Sequence, residues 1–169
     1  AGAKLVMPGA AMDGESIHKM IEDEGVTISA GVPTVWLGLL DYLDRSGNTV
    51  KKFNYCVIGG SAAPRAMSIE MQEKYGVQVL HAWGMTEMSP LGTVNWPKHG
   101  MEGETDEARY DRQVKQGRPC YGIEMKIVND VNDPLPEDGK SFGELKVRGF
   151  WVCSEYYRAE GNSHDADGW

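Results

Sequence analysis

The ten residues from 81 to 90 combine side-chain types that can bind a nucleotide and a metal ion. They include an aromatic ring, a glycine, a hydroxyl and a carboxylate at Trp83, Gly84, Thr86 and Glu87. A tryptophan ring can stack on a purine base, and a hydroxyl can donate a hydrogen bond to a phosphate oxygen. A carboxylate is a hard oxygen ligand that suits a hydrated Mg²⁺ bridging to phosphates. The stretch therefore predicts one wall of a nucleotide site.

A second stretch of small residues, Gly59–Pro64, follows an earlier apolar run in the same way. Ligands of an open parallel sheet bind beyond the carboxyl ends of its strands. If the two strands are neighbours, the two stretches form two walls of one slot. Side chains as small as these let the backbone approach a ligand closely, so the main chain of Ser61 and Ala62 is expected to hydrogen-bond the edge of the base.

Each of these features also has an ordinary structural explanation. A tryptophan at the end of a strand usually belongs to the core, and Thr86-Glu87 after a glycine is also typical of a helix N-terminus. The occurrence of both stretches at successive strand ends is what favours ligand binding. His81 is interpreted as a structural or pocket-lining residue, since no metal-ligand partner is spaced with it.

Strands and helices alternate over the first eighty residues. Strands are predicted at 4–7, 26–30, 54–58 and 77–80, and helices at 16–24, 34–45 and 64–75. Gly25 and Gly76 stand where a glycine commonly ends a helix. The apolar runs are continuous, as expected for strands buried on both faces. The pattern predicts an α/β fold with helices packed on a parallel sheet.

The pattern changes after residue 95. Residues 96–117 are polar and rich in turn formers, with a short charged helix predicted at 106–116. Residues 124–128 and 144–148 alternate polar with apolar side chains, which is typical of half-exposed strands. We therefore predict an α/β nucleotide-binding subdomain at 1–95, a connecting segment at 96–117 and a small antiparallel β subdomain at 118–169.

Bulk composition excludes some classes of partner. The 169 residues carry a net charge of −8, which argues against binding to nucleic acid, because no basic stripe exists to displace counterions. A single mononucleotide remains compatible with this charge. No apolar run approaches the length of a transmembrane segment. Three widely spaced cysteines fit neither a zinc site nor a disulfide framework and favour a cytoplasmic location.

Four motifs, in this order along the chain, resemble those of the adenylate-forming superfamily of acyl-CoA synthetases, luciferases and peptide-synthetase adenylation domains. The motifs lie at 59–64, 81–87, 117–119 and 143–149, and Gly31–Thr34 also fits the family. Residues around Trp83 and at 88–90 are most similar to the branch of medium- and long-chain fatty-acyl-CoA synthetases. The resemblance implies part of the family's large N-terminal domain, with a distorted-barrel β subdomain after the parallel sheet.

The resemblance also implies roles for single residues. Thr86 would bind phosphate and Glu87 would bind Mg²⁺, as the catalytic pair, while Trp83 would stack on adenine. Further contacts with ATP or AMP are implied for Gly60, Ser61, Ala62, Ala63, Ala82, Gly84 and Met85. The pocket for the acyl substrate is assigned to Val32, Trp36, Gly84 and Met88.

The implied reaction joins a small-molecule carboxylate to AMP and then transfers the acyl group to coenzyme A, with ATP and Mg²⁺ required. The family's Ser/Thr/Gly-rich phosphate loop, its Thr-Gly-Asp motif and the catalytic lysine of its C-terminal domain are expected outside these residues. Because the chain begins on a strand already under way, we expect an internal piece, and because these motifs lie outside it, we expect that piece to be inactive alone. The oligomeric state stays open, with a homodimer of the whole enzyme among the states considered.

Two other functions stay open as alternatives. An α/β-hydrolase could use Ser61 as its nucleophile, although the glycine usual two residues later is Ala63 and no convincing acid–histidine pair follows. The second alternative is a nucleotide-binding or interaction module without catalysis. The intact Thr86-Glu87 pair argues against it. A Rossmann dehydrogenase is disfavoured because no glycine fingerprint follows a strand. If the chain belongs to a ligase, short thioether-bearing and aryl acids remain alternatives to fatty acids as its substrate.

Overall fold

A computed structural model describes residues 2–161 and 163–169 of the chain. Their contacts define two compact units. The first unit contains the chain up to Trp83 together with Val94–Gly117, and the second contains Gly84–Thr93 with Arg118–Trp169. Residues 84–93 thus group with the β-rich part of the chain, while the three functional subdomains predicted from the sequence stay a prediction.

The described residues of the first unit form four helices and three strands. The helices are α1 (Gly14–Glu24), α2 (Pro33–Ser46), α3 (Arg65–Tyr75) and α4 (Asp106–Gln113), and the strands are β1 (Ile28–Gly31), β2 (Tyr55–Ile58) and β3 (Gln78–Gly84), whose last residue belongs to the second unit. β2 pairs in parallel with both β1 and β3, with Ile58 opposite Gly31 on one side and His81 on the other. The predicted α/β class and parallel sheet are confirmed.

Local signals explain where the helices begin and end. The Asp13 carboxylate accepts a hydrogen bond of 2.9 Å from the amide of Ser16. This cap starts α1 at Gly14, two residues before the predicted start. Gly25 and Gly76 end α1 and α3 with φ of 62° and 68°, in the left-handed region that glycine adopts without steric cost.

The helices cover the parallel sheet with one continuous apolar core. Trp36 of α2 is only 1 % exposed, and its ring packs 5.8 Å from that of Phe53. Cys56 and Ile58 of β2 are fully buried between the neighbouring strands and helices. Burial of side chains of this size supplies the main driving force for folding. The parallel strands are thus held by the helices that connect them.

Two predictions about strands in the first 84 residues are wrong. Residues 4–7 do not form a strand, and Leu5 and Met7 are 86 % and 83 % exposed. Within the described residues these four lie in no sheet, and an apolar run without a pairing partner cannot complete its backbone hydrogen bonds. β3 continues past Leu80 to Gly84, so the motif residues 81–84 lie on the strand and not in a loop.

The second unit contains β4 (Leu91–Val94) except for its last residue, β5 (Arg118–Pro119), β6 (Ile123–Val128) and β7 (Glu144–Gly149). β6 and β7 pair in an antiparallel register from Ile123 opposite Gly149 to Val128 opposite Glu144, which confirms the predicted antiparallel sheet. β4 and β5 are neighbours and were not predicted. No helix in the described ranges is both long enough and apolar enough to cross a bilayer.

Candidate nucleotide site

The loop after β2 presents open backbone beside β3. Gly60 has a φ of 79°, a conformation that favours glycine, and Ser61 and Ala62 are exposed. A Cβ atom on Gly59 would lie 3.5 Å from the carbonyl oxygen of Ala82, so the loop adjoins the end of β3. Ala63 is buried and fastens the loop to the core. The loop and residues 81–83 are therefore neighbours, as the sequence predicted.

His81 lies inside the first unit and has a structural environment. Its side chain is 2 % exposed, and its Nδ1 lies 3.3 Å from the carbonyl oxygen of Val114. The amide of Asn95 donates to the His81 carbonyl at 2.8 Å, and the Asn95 side chain donates to the Lys115 carbonyl at 2.6 Å. Asn95, which no sequence signal indicated, thus ties the segment after α4 to β3. These contacts agree with the structural role expected for His81.

Trp83 is partly exposed at the end of β3, next to the buried Ala82. The tryptophans of the first unit therefore differ in environment, since Trp36 is enclosed in the core. Partial exposure leaves indole surface of Trp83 open for contact with a ligand. Its stacking role remains a prediction from the motif.

In the second unit, Gly84–Leu91 forms a tightly closed turn. The Met85 amide donates to the Pro90 carbonyl at 2.8 Å, and a short 3-10 turn spans Thr86–Met88. A Cβ atom on Gly84 would lie 1.9 Å from the Pro90 oxygen, so only glycine fits there. Met88 is fully buried and anchors the turn, while Thr86 is exposed. The turn presents the Thr86 hydroxyl to solvent.

Glu87 is held by a segment more than sixty residues away in the sequence. Its Oε1 accepts a hydrogen bond of 3.0 Å from the phenol of Tyr156, and its backbone carbonyl accepts one of 2.7 Å from the amide of Cys153. The hydrogen bond to the Glu87 carboxylate raises the pKa of the Tyr156 phenol. Sequence reasoning missed Tyr156 and Cys153, because nothing in an exposed loop of mixed composition signals such a contact.

The residues present fit a metal ion that arrives with a nucleotide. Among the described residues, no three histidine, cysteine, aspartate or glutamate side chains cluster as a metal cage. Mg²⁺ usually takes one or two protein carboxylates, with waters and substrate phosphates as its remaining ligands. A single oriented carboxylate at Glu87, in a turn that also exposes Thr86, meets that requirement.

The residues assigned to an acyl pocket have contrasting environments. Val32 in the first unit is 45 % exposed, whereas Trp36 is almost fully enclosed. In the second unit Met88 is fully buried, and Gly84 is closely approached by the backbone of Pro90. Only Val32 offers a large apolar surface to a ligand in this conformation. The role of the set in acyl binding stays a prediction.

A comparison with protein families identifies a match over most of the chain. The sequence profile described as AMP-binding enzyme matches residues 1–157. The chain belongs to the AMP-binding enzyme family. The match extends over both compact units and includes the Thr86-Glu87 turn and Tyr156.

Named relatives of this AMP-binding enzyme chain are CoA ligases. It is 49 % identical over 169 residues to the medium-chain-fatty-acid–CoA ligase of Ectopseudomonas oleovorans, covering 99 % of this chain and 31 % of that protein. It is 44 % identical over 171 residues to the 3-methylmercaptopropionyl-CoA ligase of Ruegeria pomeroyi, covering 100 % of this chain and 31 % of the relative. The chain thus spans about a third of the length of these relatives.

Solved structures support the fold of the AMP-binding enzyme chain. A long-chain-fatty-acid–CoA ligase from Archaeoglobus fulgidus superposes with a TM-score of 0.74 at 24 % identity, covering 92 % of this chain and 32 % of the other. The O-succinylbenzoate coenzyme A synthetase of Bacillus subtilis, in complex with ATP and magnesium, gives a TM-score of 0.72 at 24 % identity, covering 93 % and 30 %. At these identities the likeness concerns the fold alone.

Proposed function

We propose that this chain is the nucleotide-holding part of an ATP-dependent carboxylate–CoA ligase that adenylates a fatty acid and transfers the acyl group to coenzyme A. The observation that carries the proposal is 49 % identity over 99 % of the chain to a relative named as a medium-chain-fatty-acid–CoA ligase. The exposed Thr86 and the oriented Glu87 supply the chemistry that such a reaction needs.

Three parts of the chain have distinct tasks in the proposed reaction. The open backbone at 60–62 hydrogen-bonds the adenine edge, and Trp83 stacks on the base. The Thr86 hydroxyl donates to a phosphate oxygen and holds it as the carboxylate of the acid attacks the α-phosphorus and pyrophosphate departs. Rigid support for these groups matters because a donor that is already in place stabilises developing charge without reorganising.

The Glu87 carboxylate would hold Mg²⁺, which supplies neutralisation of phosphate charge when it is bound. One carboxylate is compatible with a metal that enters and leaves with the nucleotide and pyrophosphate. The protein's own contribution is the orientation of that carboxylate. The main-chain carbonyl of Glu87 accepts a hydrogen bond from Cys153, and one oxygen of its carboxylate accepts a hydrogen bond from Tyr156.

The proposed substrate is a medium- or long-chain fatty acid, with a short thioether acid as the second candidate. The fatty acid is favoured by the relative from E. oleovorans, which is 49 % identical. The thioether acid is favoured by the relative from R. pomeroyi, which is 44 % identical. Pyrophosphate release by the whole enzyme, measured with saturated C4 to C18 acids, 3-methylmercaptopropionate and benzoate, tests the assignment. We expect the highest kcat/KM for a fatty acid, and a maximum at benzoate would contradict it.

The hydrolase alternative loses support from the backbone at Ser61. A nucleophile elbow holds its serine in a sharp, strained turn, whereas among the described residues other than glycine a positive φ occurs only at Ser89, Asn132 and Arg158. Labelling of Ser61 by a fluorophosphonate would restore this alternative. For the alternative of a binding module without catalysis, binding of ATP by the whole enzyme without pyrophosphate release is the outcome that would favour it.

We infer a cytoplasmic location from the cysteines. Cys56, Cys120 and Cys153 are all free, and Cys56 is fully buried in β2. Unpaired cysteines are typical of proteins from a reducing compartment.

A further inference from the structure

Within the second unit, the segment Trp151–Tyr156 makes three hydrogen bonds to the turn that carries Thr86 and Glu87. The Trp151 indole Nε1 donates to the Leu91 carbonyl at 2.9 Å. The Cys153 amide donates to the Glu87 carbonyl at 2.7 Å, and the Tyr156 hydroxyl donates to Glu87 Oε1 at 3.0 Å. Two of these bonds hold the backbone, one in the middle of the turn and one at its last residue, while the third acts on the carboxylate itself.

The Tyr156 bond has the geometry of a support for a metal ligand. A carboxylate has two oxygens, and a phenol that donates to one of them fixes the rotation of the group while leaving the other oxygen available. Within the described ranges, the side-chain contact of the Glu87 carboxylate is made through Oε1, and Oε2 has no hydrogen-bond or ion-pair partner. The carboxylate therefore has one oriented oxygen and one open oxygen, as a ligand that contributes a single oxygen to a metal requires.

Tyr156 is suited to this task in a way that its neighbour Tyr157 is not. Tyr157 is 86 % exposed, and its ring is 5.0 Å from the guanidinium of Arg158. Tyr156 is 53 % exposed and directs its hydroxyl onto Glu87. The two adjacent tyrosines thus form a matched pair, in which only one touches the turn.

We propose that Tyr156 is a positioning residue that orients the Glu87 carboxylate for the metal ion of the nucleotide complex. This inference rests on the proposed function, since it assigns Glu87 to Mg²⁺. Partners that orient a ligand are worth about 10–100-fold in metal affinity or activity. Loss of the hydroxyl should therefore weaken metal binding and leave the stacking of the base unchanged.

The test compares Tyr156→Phe with the control Tyr157→Phe in the whole enzyme. Binding of Mn²⁺ in the presence of a non-hydrolysable ATP analogue is followed by electron paramagnetic resonance, and the Mg²⁺ dependence of pyrophosphate release is measured in parallel. We expect Tyr156→Phe to weaken Mn²⁺ binding and raise the Mg²⁺ concentration for half-maximal rate by about 10–100-fold. The rate at saturating Mg²⁺ should largely recover, and Tyr157→Phe should match the wild type.

A double-mutant cycle separates orientation of Glu87 from a general effect on folding. In the Glu87→Gln background, Tyr156→Phe should produce no further loss of Mn²⁺ binding, because the group that it orients has lost its charge. A full additional loss in that background, or equal Mn²⁺ affinity in Tyr156→Phe and wild type, would overturn the positioning role. A wild-type enzyme that binds no Mn²⁺ with the analogue and releases no pyrophosphate would instead overturn the proposed function.

Discussion

Trp83, Thr86 and Glu87 are the residues on which the proposed chemistry depends, and each has surface available to a ligand. Trp83 and Glu87 are partly exposed and Thr86 is exposed, while their neighbours Ala82 and Met88 are buried. The alternation of anchored and accessible residues along one short stretch supports a binding role. It also shows why replacement of an accessible residue should affect ligand binding more than stability.

Replacement of Trp83 tests the stacking role. We expect Trp83→Ala in the whole enzyme to weaken binding of a non-hydrolysable ATP analogue by about 1–3 kcal/mol, the size of a base–aromatic stack. Trp83→Tyr should retain most of the affinity, since a phenol ring also stacks. Isothermal titration calorimetry measures both.

Trp96 gives the matched control for this experiment. It is 47 % exposed, and its ring centroid lies 5.2 Å from that of Tyr55 in a tilted arrangement, in the same unit as Trp83. Trp96→Ala should leave nucleotide affinity unchanged. Equal losses for Trp83→Ala and Trp96→Ala would exclude a specific stack at Trp83.

Residue types indicated the accessible part of the candidate site but not the residues that support it. Trp83, Thr86 and Glu87 stand out because an aromatic ring, a hydroxyl and a carboxylate follow one strand closely. Tyr156 is 69 positions from Glu87 and lies in a loop. A contact over that separation depends on how the second unit folds, which no local pattern of side chains encodes.

At the scale of elements, the closed turn at 84–91 constrains its first residue most strongly. The carbonyl oxygen and carbon of Pro90 would lie 1.9 Å and 2.8 Å from a Cβ on Gly84, and the hydrogen bond from Met85 to Pro90 holds them there. Backbone atoms cannot move aside as a flexible side chain can. We expect Gly84→Ala to destabilise the turn by roughly 1–3 kcal/mol. Hydrogen–deuterium exchange of peptides that cover residues 84–94 measures this local loss.

Gly38 provides the opposite case in the interior of α2. A Cβ on Gly38 would meet its nearest atom, the Gly14 nitrogen, at 3.9 Å, which is an ordinary contact. Alanine favours a helix over glycine by about 0.5–1 kcal/mol. Gly38→Ala should therefore slow exchange in α2, and faster exchange in this variant would contradict the described packing of α1 and α2.

Because β2 is buried, we expect the thiol of Cys56 to be unreactive in the native protein. This strand lies between β1 and β3, and the Cys56 side chain is fully enclosed, which raises the pKa of its thiol well above the usual range. The thiolate is the reactive form. We expect iodoacetamide at pH 8 to leave Cys56 unmodified in the native protein and to modify it after denaturation. Mass spectrometry locates the label, and rapid native labelling of Cys56 would contradict the three-stranded arrangement.

The elements themselves were largely readable from local signals. Glycines 25 and 76 correctly placed the ends of α1 and α3, and continuous apolar runs indicated the parallel strands. The strand predicted at residues 4–7 is wrong because an apolar run forms a strand only if another strand is available to pair with it. β3 was predicted too short because its last residues mix polar and apolar types, and their place in the sheet depends on tertiary contacts.

At the scale of the whole molecule, the 169 residues correspond to 31 % of the named CoA ligase relatives. The loop at 59–64 belongs to the first compact unit and the turn at 84–91 to the second. Substrate choice belongs to this scale, because two relatives of comparable identity are named for different acids.

The exchange of labelled pyrophosphate into ATP, without coenzyme A, tests adenylation most directly. The whole enzyme, supplied with Mg²⁺ and a fatty acid, should catalyse this exchange, and Glu87→Gln should reduce the rate by about 100-fold or more, because a group that stabilises transition-state charge is lost. Unchanged nucleotide binding by this variant would show that the loss lies in the chemical step or its metal. Absence of exchange with every carboxylate, or full exchange by Glu87→Gln, would contradict the adenylating role assigned to this chain.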